Sequence, residues 1–394
     1  MSAQSLADAA PRPLSPTRII ALAGLTLALG YAVVLIGAFA GGEFLLDPQG
    51  RGIANDFVNV WAAGALTLDG HPAAAYDWTL HKAAEVNAVG HDFANNYGWH
   101  YPPTFLFAAA SLALIPYAAA GALWLVVTLI PYLAAMRAII GTRAGILFAL
   151  GWPAALWNVT AGQNGFLTAA LIGGTLAAME RHPTLAGVCL GLLTYKPHFG
   201  LLFPLVLAVS GRWRVIGVAS AVALALAAAS WLAFSGASWQ AFISGMGTTG
   251  EIVLGEGRAD LYRLQSLFGF VRAHGGSETL AWSAQISLAM LLAIALCWLW
   301  RSRADFEIKA AALSAAALAA TPYLYIYDLV VLAVPAAFLI RLGLKRGFLA
   351  SEVFGLTAAA VLLLSYPYAK THVGLAAIVL VLTLIAKRAR PALA

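Results

Sequence analysis

Apolar residues run in long unbroken blocks along this chain, and polar residues are confined to the intervals between them. A block such as "ALALAAASWLAF" is apolar on every side of a helix, whereas a barrel strand would alternate apolar and polar positions. Read as helices, the blocks predict membrane crossings at about 17–40, 118–138, 144–160, 164–180, 184–196, 197–211, 214–235, 280–300, 306–320, 322–341, 347–365 and 369–387. The fifth and sixth are short and also read as one helix broken at "YKPH". Residues 103–117 are apolar too, but read as a half-helix dipping in from one face. The expected fold is therefore an all-α polytopic membrane protein with about 12 transmembrane helices. It is organised as one membrane domain, 17–394, behind a polar, proline-rich and disordered cytoplasmic tail, 1–16.

Two polar intervals are long, at about 41–102 and 236–279, and both carry helical patterning. It falls at Phe57–Leu68 and Trp78–Val89 in the first, and at Trp239–Met246 and Leu264–Val271 in the second. Charge orients the chain. With both termini cytoplasmic, sixteen of the 23 Lys and Arg residues fall in inner loops, while the 17 acids divide about twelve outside to five inside. Counting 103–117 as a full crossing would move Arg137, Arg143 and Arg181 outside, so the even count is preferred. Both long loops are then extracytoplasmic, and so is every segment with unusual chemistry.

Composition agrees with the pattern. Apolar residues make up 61% of the 394 residues and charged residues 10%, with a mean hydropathy of +0.82. Soluble domains carry about a quarter charged residues, so lipid must cover much of this surface. A signal peptide would leave a soluble remainder, but here the apolar blocks continue to the C-terminus. Cys189 and Cys297 lie inside apolar blocks and read as small core residues. The net charge of +6 is dispersed into loops and is no nucleic-acid signature.

Five segments carry candidate chemistry. Asp56 in "ANDFVNVWAAGAL" reads locally first as a helix N-cap, and, compatibly with that, as a carboxylate at the bilayer edge, where desolvation tunes a general base. "GWHYPPTF" reads as an interfacial aromatic belt, with His100 and Tyr101 as candidate substrate contacts. In "WNVTAGQNGFLTAA", Gln163 and Asn164 either cap a helix or bind sugar hydroxyls or phosphate. Lys196 in "LLTYKPHFGLLFPL" is flanked by apolar helix and is costly in lipid, so with Tyr195 and His198 it forms a candidate pocket for an anionic headgroup. Asp328 in "TPYLYIYDLVVLAV" reads the same way or as a tyrosine-paired structural acid. In the second long loop Arg258 reads as solvated, whereas Arg263 and Arg272 flank an interfacial helix where they could meet phosphates. The chain has no GxGxxG, Walker A, HExxH or Gly-x-Ser-x-Gly motif, so nucleotide-driven transport and serine-hydrolase chemistry have no support.

Taken in order, Asp56-Phe57, Ala62-Ala63, Gly70, Ala75-Tyr76-Asp77, Tyr101-Pro102-Pro103, Gly162-Gln163-Asn164, Lys196-Pro197 and Gln265-Ser266-Leu267 resemble glycosyltransferase family 87 over about 50–340. That family has the GT-C membrane fold and includes mycobacterial polyprenyl-phosphate-mannose-dependent mannosyltransferases. The resemblance implies inverting, metal-independent transfer of a hexose, mannose by preference. The donor would be a polyprenyl-phosphate sugar and the acceptor an extracytoplasmic lipid or glycan, with no cofactor. It also implies Asp56 as base and Lys196 near the donor phosphate. The family's late histidine segment is replaced here by "TPYLYIYD", leaving Tyr325 and Asp328 as its substitutes. The alternative is a secondary transporter or a flippase of lipid-linked sugars, which would favour paired repeats and charges at the bilayer midplane. A membrane scaffold would not need Lys196 or Asp328 inside apolar segments.

Overall fold

The computed structural model describes residues 14–44, 47–250, 261–369 and 371–390, so most of the expected N-terminal tail and Arg258 lie outside the described residues. Among the described residues the chain is helical throughout. Extended pairing is limited to two isolated bridges, Phe44 with Ile53 and Leu264 with Tyr325.

Local chemistry sets the helix ends. Helix α1 (Pro16–Ala40) starts where Pro16 presets the first turn and Ser15 accepts the Arg18 amide. Helix α2 (Phe57–Leu68) and helix α3 (Trp78–Val89) follow in the first long interval. Asp77 caps α3, accepting from the Thr79 and Leu80 amides at 2.9 Å each, and Gly90 closes it with φ of 87°. Next come α4 (Leu106–Ala113), α5 (Tyr117–Ile140), α6 (Ala144–Gly151), α7 (Pro153–Ala161), α8 (Gly165–Ala178), α9 (Pro183–Leu192) and α10 (Phe203–Val209). The remainder comprises α11 (Trp213–Gly250), α12 (Leu267–Ala273), α13 (Glu278–Arg301), α14 (Phe306–Ala319), α15 (Ala333–Arg346), α16 (Ala350–Leu364), α17 (Tyr366–Ala369) and α18 (Val373–Ala389).

By length and composition five helical stretches can cross a membrane: Pro16–Ala40, Tyr117–Ile140, Trp213–Gly247, Glu278–Arg301 and Ile326–Arg346. The pair α6 and α7, bent by 58° at Trp152 and Pro153, would be a sixth. Most other expected crossings form apolar helices such as α8, α9 and α16, each under the roughly 20 residues a straight span needs. The expected half-helix is the short turn Pro103–Phe105 running into α4, eight residues and about 12 Å long. The crossing expected to end at residue 235 does break there, at Ser235 with φ of 67°, but the chain then stays helical to Gly250.

The core is built around one post. In Ile326–Arg346, 89% of the most apolar window is buried, against 11% in α1. The alanine-rich α14 packs directly on the post, because small side chains let backbones approach. By contrast α1 sits at the periphery and crosses α6 where Gly24 meets Gly151. A Cβ on Gly24 would lie 2.3 Å from the Leu147 carbonyl oxygen.

The post also separates two chemistries. Its last turns carry Arg341, Lys345 and Arg346, with Lys345 and Arg341 on Glu307 and Arg346 on Asp305 at 2.7 Å. Next to this end, Arg388 donates to Gly347 O at 2.8 Å and pairs with Glu352 at 3.1 Å. Asp328 lies at the opposite end, on the order of 30 Å away by helix rise.

Candidate active site

Asp56 is placed by backbone rather than by its side chain. Helix α7 ends with unsatisfied carbonyls, as every helix does. The chain before α2 uses them: the Ala54 amide donates to Thr160 O at 2.8 Å, and the Asp56 amide to Ala161 O at 2.9 Å. Gly162 closes α7 with φ of 70°, and a Cβ there would lie 2.8 Å from the Ala54 Cα. Ala54 itself holds φ of 61°, a costly conformation for a residue with a Cβ. Glycine in "GQN" is thus what lets the Asp56 segment sit against the end of α7.

Asp56 precedes the first turn of α2 but makes no side-chain cap; it already has helical φ and ψ of −70° and −17°. Its Oδ2 instead accepts from Gln163 Nε2 at 3.2 Å. Gln163 and Asn164 do not cap α8 either: the Gly165 amide donates to Asn158 Oδ1 at 2.8 Å. This frees both amides for a network. Tyr101 OH donates to Gln163 Oε1 at 3.3 Å, and Asn164 Nδ2 donates to Tyr101 OH at 2.6 Å. Tyr101 is locked further by stacking on Tyr195, by the edge of Trp99, and by Tyr76 OH on its carbonyl at 2.9 Å.

A cavity of about 330 Å³ opens beside this network. Gln163, Tyr101, His100, Lys196, His198, Tyr325 and Asp328 all line it. Asp56, Asn164 and Arg263 do not; Asp56 reaches the cavity through Gln163. Lys196 Nζ donates to Asp328 Oδ1 at 2.8 Å, with side chains 8% and 2% exposed, and Asp328 Oδ2 accepts the Tyr325 amide at 3.1 Å. Asp328 is thus tied to Tyr325 through the backbone amide and neutralises the buried lysine. Lys196 also lies 5.5 Å from the Tyr327 ring centre and 5.6 Å from that of Phe199. Arg263 is exposed yet near enough for its charge to favour ionised Asp56, and Arg272 donates to Gly276 O at 3.2 Å.

Burial pushes the Asp56 carboxyl up to about 6, against the Gln163 hydrogen bond and the charges of Arg263 and Lys196, which pull it down. An acid poised there is a carboxylate at neutral pH and still basic enough to take a proton. No such group follows from the reading of Asp56 as a cap alone.

Residues 99–322, more than half of the chain, match the model of glycosyltransferase family 87. This chain belongs to glycosyltransferase family 87. No curated protein and no solved structure matches it. As a family 87 member it is a membrane glycosyltransferase, acting on a sugar donor and an acceptor. The matched stretch of this family 87 chain contains Tyr101, Gln163, Asn164, Lys196, His198 and Arg263. Asp56 precedes it, and Tyr325 and Asp328 follow it, so those three are joined to the site by geometry.

The cavity also has walls that the sequence did not announce. Asn59, Trp78 and His81 face it from α2 and α3, Phe242 and Met246 from the outer part of α11, and Tyr323 and Tyr327 beside Tyr325. The tyrosines were legible in principle. Tyr323 and Tyr325 flank the fully buried Leu324 in an extended run with one face inward, and Tyr327 follows in the first turn of the helical stretch that starts at Ile326.

Proposed function

We propose that this protein transfers a hexose, mannose by preference, from a polyprenyl-phosphate sugar to a lipid or glycan acceptor. It would do so on the extracytoplasmic side of the cell membrane, with inversion at the anomeric carbon and Asp56 as the base. The observation that carries the proposal is the Asp56 carboxylate, released from capping, held by Gln163 at the cavity and poised at about 6.

The chemistry follows from the two ends of the cavity. An acceptor hydroxyl gives its proton to Asp56 as its oxygen bonds to the anomeric carbon, and the bond from that carbon to the phosphate oxygen breaks. The electron pair leaves with the polyprenyl phosphate, a good anionic leaving group that demands no general acid. Lys196 has three donors and spends one on Asp328, which leaves two for phosphate oxygens. One carboxylate suffices for inversion, unlike the paired acids of glycosidases. The GT-C architecture implied by the family and the two helical long loops supports the same reading. The gathering of polar groups at one end, away from the middle of the post, favours it over a flippase.

Asp56→Asn tests the proposal. Asn keeps the shape and any capping but cannot take the proton. The purified variant is expected to bind farnesyl phosphate as the wild type does and to lose about a hundred- to ten-thousand-fold in transfer rate. Transfer at the wild-type rate would remove Asp56 from the chemistry. Because no step in this scheme uses a metal, EDTA should leave the rate unchanged; loss of activity restored by a divalent cation would count against it.

A further inference from the structure

A second set of cavity-lining residues, Asn59, Trp78, His81 and His100, is of a different kind from the Lys196–Asp328 pair. Asn59 and Trp78 carry no charge, burial pushes His81 down to about 3, and desolvation lowers His100 too, although that residue is exposed. Behind His81, one turn on, lies Glu85 at 3.7 Å, fully buried and pushed by burial up to about 8, so this acid is neutral as well. A wall without charge offers a phosphate no counter-ion. It offers an aromatic face and hydrogen-bonding groups, which is what an uncharged sugar ring requires.

Two buried side chains there, Asn59 and His81, have polar atoms without a hydrogen-bond partner. Asn59 is 6% exposed and its Oδ1 has no hydrogen bond; His81 is 0% exposed and neither ring nitrogen has one. Buried polar atoms are almost always satisfied, and those that are not point to a missing ligand or water. Trp78 stands over this floor with its ring centre 5.6 Å from that of His100. The two rings come that close because Gly98 lies between them. A Cβ there would fall 2.6 Å from the Trp78 ring and 2.8 Å from His100.

Position decides which sugar. Asn59 lies three residues after Asp56, on the same face of α2. A ring bound against Asn59 therefore lies one helical turn from Asp56 and beside Gln163, which holds that carboxylate, while the donor phosphate belongs with Lys196. We propose that Trp78, His100 and Asn59, with His81 as a positioning residue beneath them, form the acceptor subsite, and that the acceptor presents an uncharged sugar ring there. This inference rests on the reading of the cavity as the place of transfer.

The test is binding, without turnover. Methyl α-D-mannopyranoside and methyl α-D-glucopyranoside, added to the purified full-length protein, are followed by saturation-transfer NMR, with farnesyl phosphate as the probe of the other end. At least one glycoside is expected to bind the wild type. Trp78→Ala should weaken it about five- to tenfold and Trp78→Phe should restore most of that, as loss and recovery of an aromatic face would do. Farnesyl phosphate affinity should stay the same in both variants, which also certifies their fold. Mannosyl farnesyl phosphate should bind together with the glycoside. The proposal is overturned if no glycoside binds, if Trp78→Ala leaves glycoside affinity unchanged, or if farnesyl phosphate affinity falls in parallel. It is also overturned if mannosyl farnesyl phosphate displaces the glycoside, since the wall would then hold the donor's sugar. Failure of the wild type to transfer sugar from any polyprenyl phosphate would instead count against the function, whatever the glycosides do.

Discussion

Asp56 titrates at about 6 because burial opposes its charge more strongly than Gln163, Arg263 and Lys196 favour it. As the working form of a base is the carboxylate, kcat/KM should climb about tenfold per pH unit below about 6 and level off above it. Gln163 donates to the carboxylate and so lowers its pKa; Gln163→Leu should move the whole acid limb to higher pH. A limb that stays in place would mean that another group titrates. The Lys196–Asp328 pair makes a second prediction at this scale. Removing one partner of a buried pair strands a charge and costs about 3–5 kcal/mol, while replacing both by apolar groups is far milder. Lys196→Met should therefore unfold at lower temperature in detergent, and Lys196→Met with Asp328→Leu should recover stability without recovering farnesyl phosphate binding. Recovery of both would assign Lys196 to structure alone. Little of this was open to sequence reasoning. Lys196 and Asp328 were each suspect because charge in an apolar block is expensive, yet 132 residues separate them and nothing local pairs them. The choice between cap and base at Asp56 was likewise undecidable, since both use the same residue at the same place.

At the scale of elements, α2 and α3 have the bounds read from the sequence, Phe57–Leu68 and Trp78–Val89. Their signals are local: an apolar run after Asp56, and Asp77 and Gly90 as start and stop. Where a helix end is served from a distance, the sequence is silent. Asn158 supplies the first amide of α8, and α7 finds its last partners more than a hundred residues back, at Ala54 and Asp56. That second joint is where Asp56, the proposed base, is positioned, and Gly162→Ala tests it. The substitution adds a Cβ at φ of 70° and 2.8 Å from Ala54, and displacing a catalytic group by about 1 Å can cost on the order of a hundredfold in rate. The transfer rate should fall on that order with farnesyl phosphate binding intact. An unchanged rate would show that the seat of Asp56 on α7 is dispensable. The outer part of α11 was only half legible, for Ser235 breaks the crossing where expected, but the helix beyond it brings Phe242 and Met246 to the cavity.

Over the whole molecule, hydrophobicity made the class legible and left the architecture of crossings to packing. Blocks such as 164–180 and 184–196 are apolar enough to read as spans, yet they fold as the shorter α8 and α9; α8 is shielded by neighbours and need not match the bilayer, whereas α9 is buried on one face only. The post separates a site end from a basic end, and the positive-inside rule predicts that the basic end faces the cytoplasm. With Cys189 and Cys297 replaced by Ala, a cysteine at exposed Asp69 should react with an impermeant maleimide from outside intact cells, and one at exposed Lys387 should not. The reverse pattern would turn the site to the cytoplasm. The account as a whole stands or falls on transfer. Purified protein in vesicles, given radiolabelled mannosyl polyprenyl phosphate and membrane lipid extract, should move label into a new lipid or glycan product with inverted anomeric configuration, and Asp56→Asn should not. Label that crosses the bilayer still attached to its polyprenyl phosphate, with no new product, would contradict it.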